Sequence, residues 1–179
     1  LLGAITFGIL QGVVIGVVLS IIWLVAVSAL PYIPELGRKP GTHAFFDLQE
    51  HPDGQTFPGL SILRFDGGIF FVNADALGDR NREVRVQLGE TLNGVILSME
   101  GVNFIDTEGA DIIMKIALAG KEYGIDLHLA RLKPQVMAVL QRHGVIDQIG
   151  VEHIHHDITA AVELHLSRHA PDSLGMLDS

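Results

Sequence analysis

GVILSMEGVNFIDTEG, Gly94 to Gly109, is the stretch on which the fold turns. Val95 to Met99 are apolar except for Ser98, the composition of a short strand buried on both faces of a sheet. A bend at Glu100-Gly101 and the pair Phe104-Ile105 follow. Asp106-Thr107-Glu108-Gly109 then stands at the entrance to the apolar run Ala110 to Ala119. The pattern is strand, tight loop, helix N-terminus. Asp106 or Thr107 can accept a hydrogen bond from the free N–H groups of the first turn, and Glu108 and Asp111 suit the positive end of the helix dipole. Capping alone accounts for these residues. The loop beyond the carboxyl end of a central strand is also where ligands and partners usually meet an open α/β sheet, which makes Asp106, Thr107, Glu108, Gly109 and Asp111 the candidate binding loop.

Outward from that strand the chain divides into two materials. Leu1 to Pro34 contains no Lys, Arg, Asp or Glu, and the rest carries all of them. As one helix, Leu1 to Leu30 would run roughly 45 Å at 1.5 Å per residue, against a hydrocarbon core of about 30 Å. The expectation is a membrane segment over 1–34 that either overspans the bilayer or is broken, with Gln11-Gly12, near 11–12, as the candidate break. A secretory signal would want a basic start and a shorter apolar run, so a membrane helix is preferred, and the Leu1 start suggests a piece of a longer chain. Gly8, Gly12, Gly16 and Ser20 recur every fourth residue and line one face for close helix packing. The rest of a larger membrane domain is favoured as the partner over a second copy of the chain. Arg38-Lys39 beyond the helix places the C-terminal part in the cytoplasm by the positive-inside tendency.

The net charge of −9 without a basic cluster argues against nucleic acid as a partner, because Lys and Arg supply most of that affinity. With no cysteine, disulfides, thiolate catalysis and Cys-based zinc sites are excluded. A linker rich in Gly and Pro covers 35–59 and looks ordered only by docking. From Leu60 the pattern predicts a strand to Phe65, a turn at Asp66-Gly67-Gly68 and a second strand Ile69 to Val72, because Asp-Gly between apolar runs is a hairpin signal. Asn73 or Asp75 caps a helix with Leu77, Val84 and Leu88 on its apolar side. The central strand and the Ala110 helix follow, the latter closed by Gly124. Ile125 to Ala130 is a strand, Lys133-Pro134 opens a helix that Gly144 closes, Val151 to His155 is a short strand, and Asp157 caps a last helix to about His169. The order ββαβαβαβα implies an α/β domain over 60–170 with a mixed, mostly parallel sheet under helical cover, and 171–179 as a disordered tail.

Two stretches resemble one family. LGRKPGTHAFFDLQEHPDGQTFPGLSILRFDGGIFFVNAD, Leu36 to Asp75, is similar to the junction between the last transmembrane helix and the STAS domain of SulP-type anion permeases. VILSMEGVNFIDTEGADII, Val95 to Ile113, resembles the STAS core strand and signature loop, which anti-sigma-factor antagonists share. The resemblance implies the final membrane helix and cytoplasmic STAS domain of a secondary anion transporter in the plasma (inner) membrane, carrying sulfate, bicarbonate or a dicarboxylate. It implies a regulatory and assembly role, with the transport domain of the parent protein, a second copy in a homodimer and a cytosolic protein as partners. In the antagonists the loop reads Asp-Ser-Ser-Gly and the second Ser is phosphorylated. Glu108 holds that position here, so a kinase-driven switch of that kind is put in doubt, and Thr107 is the remaining hydroxyl for phosphorylation. Guanine nucleotide is the rival ligand by the same resemblance, opposed by the carboxylates of Asp106, Glu108 and Asp111.

Other chemistry reads weakly. His153, His155 and His156 crowd one segment, and His165 and His169 stand at i, i+4. Neither group has a carboxylate fixed by local spacing, so they read as surface histidines and no metal site is assigned. Nothing matches a nucleophile elbow, a Walker loop or a dinucleotide fingerprint, and no catalytic residue is expected.

Overall fold

The computed structural model describes residues 2–177. Helix α1, Leu2–Ser28, is continuous through Gln11-Gly12, so of the two alternatives the unbroken helix holds and the candidate break does not occur. A helix satisfies its backbone groups internally, and a glycine in mid-helix keeps its N–H and C=O in the ladder. Gly8–Val27 is long and apolar enough to cross a membrane, and the window is exposed rather than buried against the domain.

The domain is built on a four-stranded, wholly parallel sheet. Its strands, in spatial order, are β3 (Leu60–Arg64), β4 (Gly94–Ser98), β5 (Asp126–Ala130) and β6 (Ile154–His155). All five residues of β4 are buried, as its apolar run requires of a strand covered on both faces. Leu97 and Val95 point into a core shared with α2 (Ala74–Leu88), α3 (Thr107–Tyr123), α4 (Pro134–Arg142) and α5 (Val145–Ile149). Ile96 points the other way, into a second core with α6 (Ile158–His169). Leu77 and Val84 of α2 are buried as expected, whereas Leu88 is exposed. Gly124 closes α3 in the left-handed conformation at φ 69°.

The hairpin after Leu60 is absent. Both edges of β3 are taken, one by β4 and the other by the segment before it, which runs antiparallel: Glu35 bridges Leu63, Arg64 N–H donates to Pro34 at 3.0 Å and Asp66 N–H to Tyr32 at 3.3 Å. Ile69 pairs instead with Ile105, exchanging hydrogen bonds of 3.1 Å with Phe104 C=O and Asp106 N–H. An Asp-Gly turn sets a reversal of direction, but the free strand edge needed to complete a hairpin is a long-range matter.

The linker is folded onto the domain. β1 (Leu36–Arg38) and β2 (Phe45–Asp47) form a small antiparallel sheet, with Leu36 and Arg38 buried. The last predicted strand is shorter than expected, with Val151–His153 in a 3-10 turn before β6. Of the tail, Pro171–Leu177 is a 3-10 turn against α6, and 178–179 lie outside the described residues.

Candidate functional site: the loop at the end of the central strand

Asp106 is the N-cap of α3. Its Oδ1 accepts from Gly109 N–H at 2.9 Å, satisfying one of the helix's free donors, while Oδ2 accepts from Phe71 N–H at 2.9 Å. Both oxygens are therefore engaged in shaping the loop. Gly109 is buried, and a Cβ there would lie 2.7 Å from Ile69 O and from an Ile105 side-chain carbon. Glycine at this place lets the first turn of α3 press against the Ile69–Ile105 bridge.

Thr107, Glu108 and Asp111 are exposed on the first turns of α3. Two large rings flank them. Phe71 is 73% exposed and Phe104 52%, with Phe70 stacked on Phe104 at 5.5 Å between centroids. Exposed carboxylates and exposed rings thus share one rim of the domain, tied together by the Phe71–Asp106 bond. Across the same end of the sheet, Arg131 pairs with Glu100 at 2.6 Å and Lys133 donates to Asn103 at 2.6 Å. The aromatic pair lies in a segment that the sequence reading assigned to a strand and a loop, so its exposure carried no local signal.

On α1, Gly8, Gly12 and Gly16 follow one another at helical spacing, and a Cβ at any of them would meet no atom within 4 Å. Ser20 Oγ donates back to Gly16 C=O at 2.8 Å.

The histidines depart most from expectation. His165 is fully buried, as is His128, which the sequence reading passed over. His128 Nδ1 lies 3.1 Å from His155 Nε2, and the His128 ring is 4.8 Å from His153 and 5.8 Å from His165 between centroids. His165 Nε2 meets Asn93 Oδ1 at 2.8 Å, and its ring fills the space a Cβ on Gly94 would need. Burial pushes the His128 pKa down to about 3, helped by the neighbouring imidazoles, and pushes His165 to about 4. Both are neutral at pH 7. Asp126 accepts from His169 Nε2 at 3.0 Å. Burial would raise its carboxyl, but that hydrogen bond and the imidazoles around it hold it below its ordinary range. The available signal was Asp126-Leu127-His128: alternation on a strand puts both polar groups on one face.

The STAS domain family matches residues 51–161. A probable sulfate transporter 4.2 of Arabidopsis thaliana is 34% identical over 155 residues, covering 82% of this chain and 23% of that protein. Among solved structures, the murine solute carrier 26 family member A9 anion transporter in its inward-facing state superposes with a TM-score of 0.76 at 22% identity, over 88% of this chain and 26% of that one. The STAS domain of a SulP transporter from Vibrio cholerae gives 0.56 at 19% identity, over 68% of this chain and 91% of that one.

The chain belongs to the STAS-domain family. It spans about a quarter of the length of the curated sulfate transporters it matches.

Proposed function

We propose that this chain is the final membrane helix and cytoplasmic STAS domain of a SulP-class secondary anion transporter, with sulfate as its anion, and that it regulates and helps assemble that transporter. The names of its relatives support sulfate. A substrate path needs several helices around a midplane site, so this chain does not transport alone. The Gly8, Gly12, Gly16 and Ser20 face packs against the transport domain, because small residues allow close approach of helices where lipid offers no hydrophobic drive. In the parent protein the module works as a homodimer and offers the Asp106–Asp111 rim, with Phe71 and Phe104, to a cytosolic protein.

One observation carries the regulatory reading. Tyr32 C=O, a few residues beyond α1, accepts from Asp66 N–H, and Phe71 N–H donates to Asp106. A short run of chain thus ties the base of the membrane helix to the loop. A partner that shifts the loop pulls on residues already bonded to the helix exit, which supplies a physical route for coupling. The test is radiolabelled sulfate uptake into proteoliposomes by the full-length transporter carrying this chain, with and without residues 60–170. Loss or deregulation of uptake is expected. Unchanged folding, assembly and uptake would rule the coupling out.

A further inference from the structure

The face of β5 turned toward α6 holds a group that the loop does not involve. One ligand atom each from Asp126, His128 and His153 lies within 4.8 Å of the other two. His128 is fully buried, and its Nε2 makes no hydrogen bond. A buried imidazole nitrogen without a partner forfeits hydration for nothing unless something completes it.

The surrounding bonds orient the three side chains. His128 Nδ1 is held by His155 at 3.1 Å, His153 Nδ1 lies 2.8 Å from Ile149 C=O, and Asp126 Oδ2 receives His169 at 3.0 Å. Each prospective ligand therefore has an outer partner on one atom, the arrangement that fixes tautomer and direction in metal sites. With its Nδ1 proton on the Ile149 carbonyl, His153 presents the lone pair of Nε2, which now accepts from Arg168 Nη1 at 2.9 Å. A cation already stands where the ion's charge would go. A groove lined in part by Lys121, Gln148 and Ile149 opens Asp126 and His153 to solvent.

We propose that Asp126, His128 and His153 form a binding site for a divalent transition metal of the zinc class, entered by displacement of Arg168 from His153. Two neutral imidazoles and one carboxylate are the donors that zinc and its borderline neighbours select. Bonds of about 2.0–2.1 Å would set the ligand atoms roughly 3.4 Å apart, so the three side chains must close by at most about 1.4 Å from their present spacing. His153 sits on a 3-10 turn and supplies that movement, whereas His128 is fixed in β5. The bound ion would pin the turn before β6 to β5.

Cobalt(II) is the probe. The whole chain, purified in detergent and stripped with chelator, is titrated with cobalt(II) while its visible ligand-field absorption is recorded, and zinc is then added in competition. The expected result is saturable 1:1 binding with the spectrum of a low-coordinate nitrogen and oxygen site, lost on adding equimolar zinc. Asp126→Asn and His153→Ala are each expected to weaken binding by at least about 10-fold, while His43→Ala leaves it unchanged. Arg168→Ala is expected to tighten it. Circular dichroism of each variant checks that the fold persists, and because two ligands are replaced separately, misfolding of one leaves the other to decide. No cobalt spectrum at millimolar metal, or binding that survives both substitutions, overturns the site.

Discussion

Asp106 and Phe71 are joined by a 2.9 Å hydrogen bond from the Phe71 backbone N–H to Oδ2, although 35 positions separate them in sequence. The other carboxylate oxygen caps α3 through Gly109. A single side chain therefore caps the start of the helix and fixes the segment that replaces the expected hairpin.

Asp106→Ala is expected to destabilise the chain by about 2 kcal/mol, roughly 1 from the lost cap and the rest from a backbone donor left without its partner. Asp106→Asn keeps one acceptor oxygen and is expected to cost about half as much. Urea unfolding of the full chain in detergent, followed by circular dichroism, measures both. Equal stability of the alanine variant and wild type would show that the carboxylate is not structural.

Gly109→Ala places a methyl group against Ile69 O and Ile105, and overpacking of this kind costs about 1–3 kcal/mol. Thr107→Ala, on the exposed side of the same turn, is expected to change stability by less than about 0.5 kcal/mol. Thermal melts of the pair distinguish the helix's packed side from its presented side.

Tyr32 O–H donates to Asp47, joining the exit of α1 to β2. Burial would raise the Asp47 carboxyl, but this bond and a 2.8 Å bond from Gln49 N–H outweigh it and leave the pKa below its ordinary value. A depressed carboxylate contributes stability that is complete above the unfolded pKa, near about 4, and is lost as pH falls through the folded value. Tyr32→Phe is expected to lower stability at pH 7 and to flatten its fall below about pH 4. Urea midpoints measured from pH 7 to pH 3 provide the comparison, and parallel curves for the two proteins would contradict it.

GDP and GTP, with and without magnesium, are expected to leave the amide resonances of residues 106–111 unmoved, because Glu108 and Asp111 present exposed carboxylates to any phosphate approaching the helix N-terminus. Saturable shifts confined to those residues would make the loop a nucleotide site instead.

Three features were legible in the sequence because their causes are local. An uncharged run longer than a bilayer is thick has the length and composition of a membrane helix, both read from the residues themselves. Val95 to Leu97 read as a strand buried on both sides, and Asp106 with Gly124 marked the two ends of α3. The candidate loop was placed by the same logic, since a cap residue after a buried strand needs no knowledge of distant partners. Even so, sequence could not say that both Asp106 oxygens are occupied.

Tertiary structure decided whatever depends on who occupies a strand edge or a buried face. Ile69 to Val72 had the composition of a hairpin strand, yet the edge it needed was held by Tyr32 to Glu35, so the segment turned to brace Asp106. His165 read as a surface histidine and His128 carried no reading, because the burial of both is set by α6 folding over β5. Local patterns determined the elements; competition among them for hydrogen-bonding edges and for the space beneath α6 determined which polar groups ended up together.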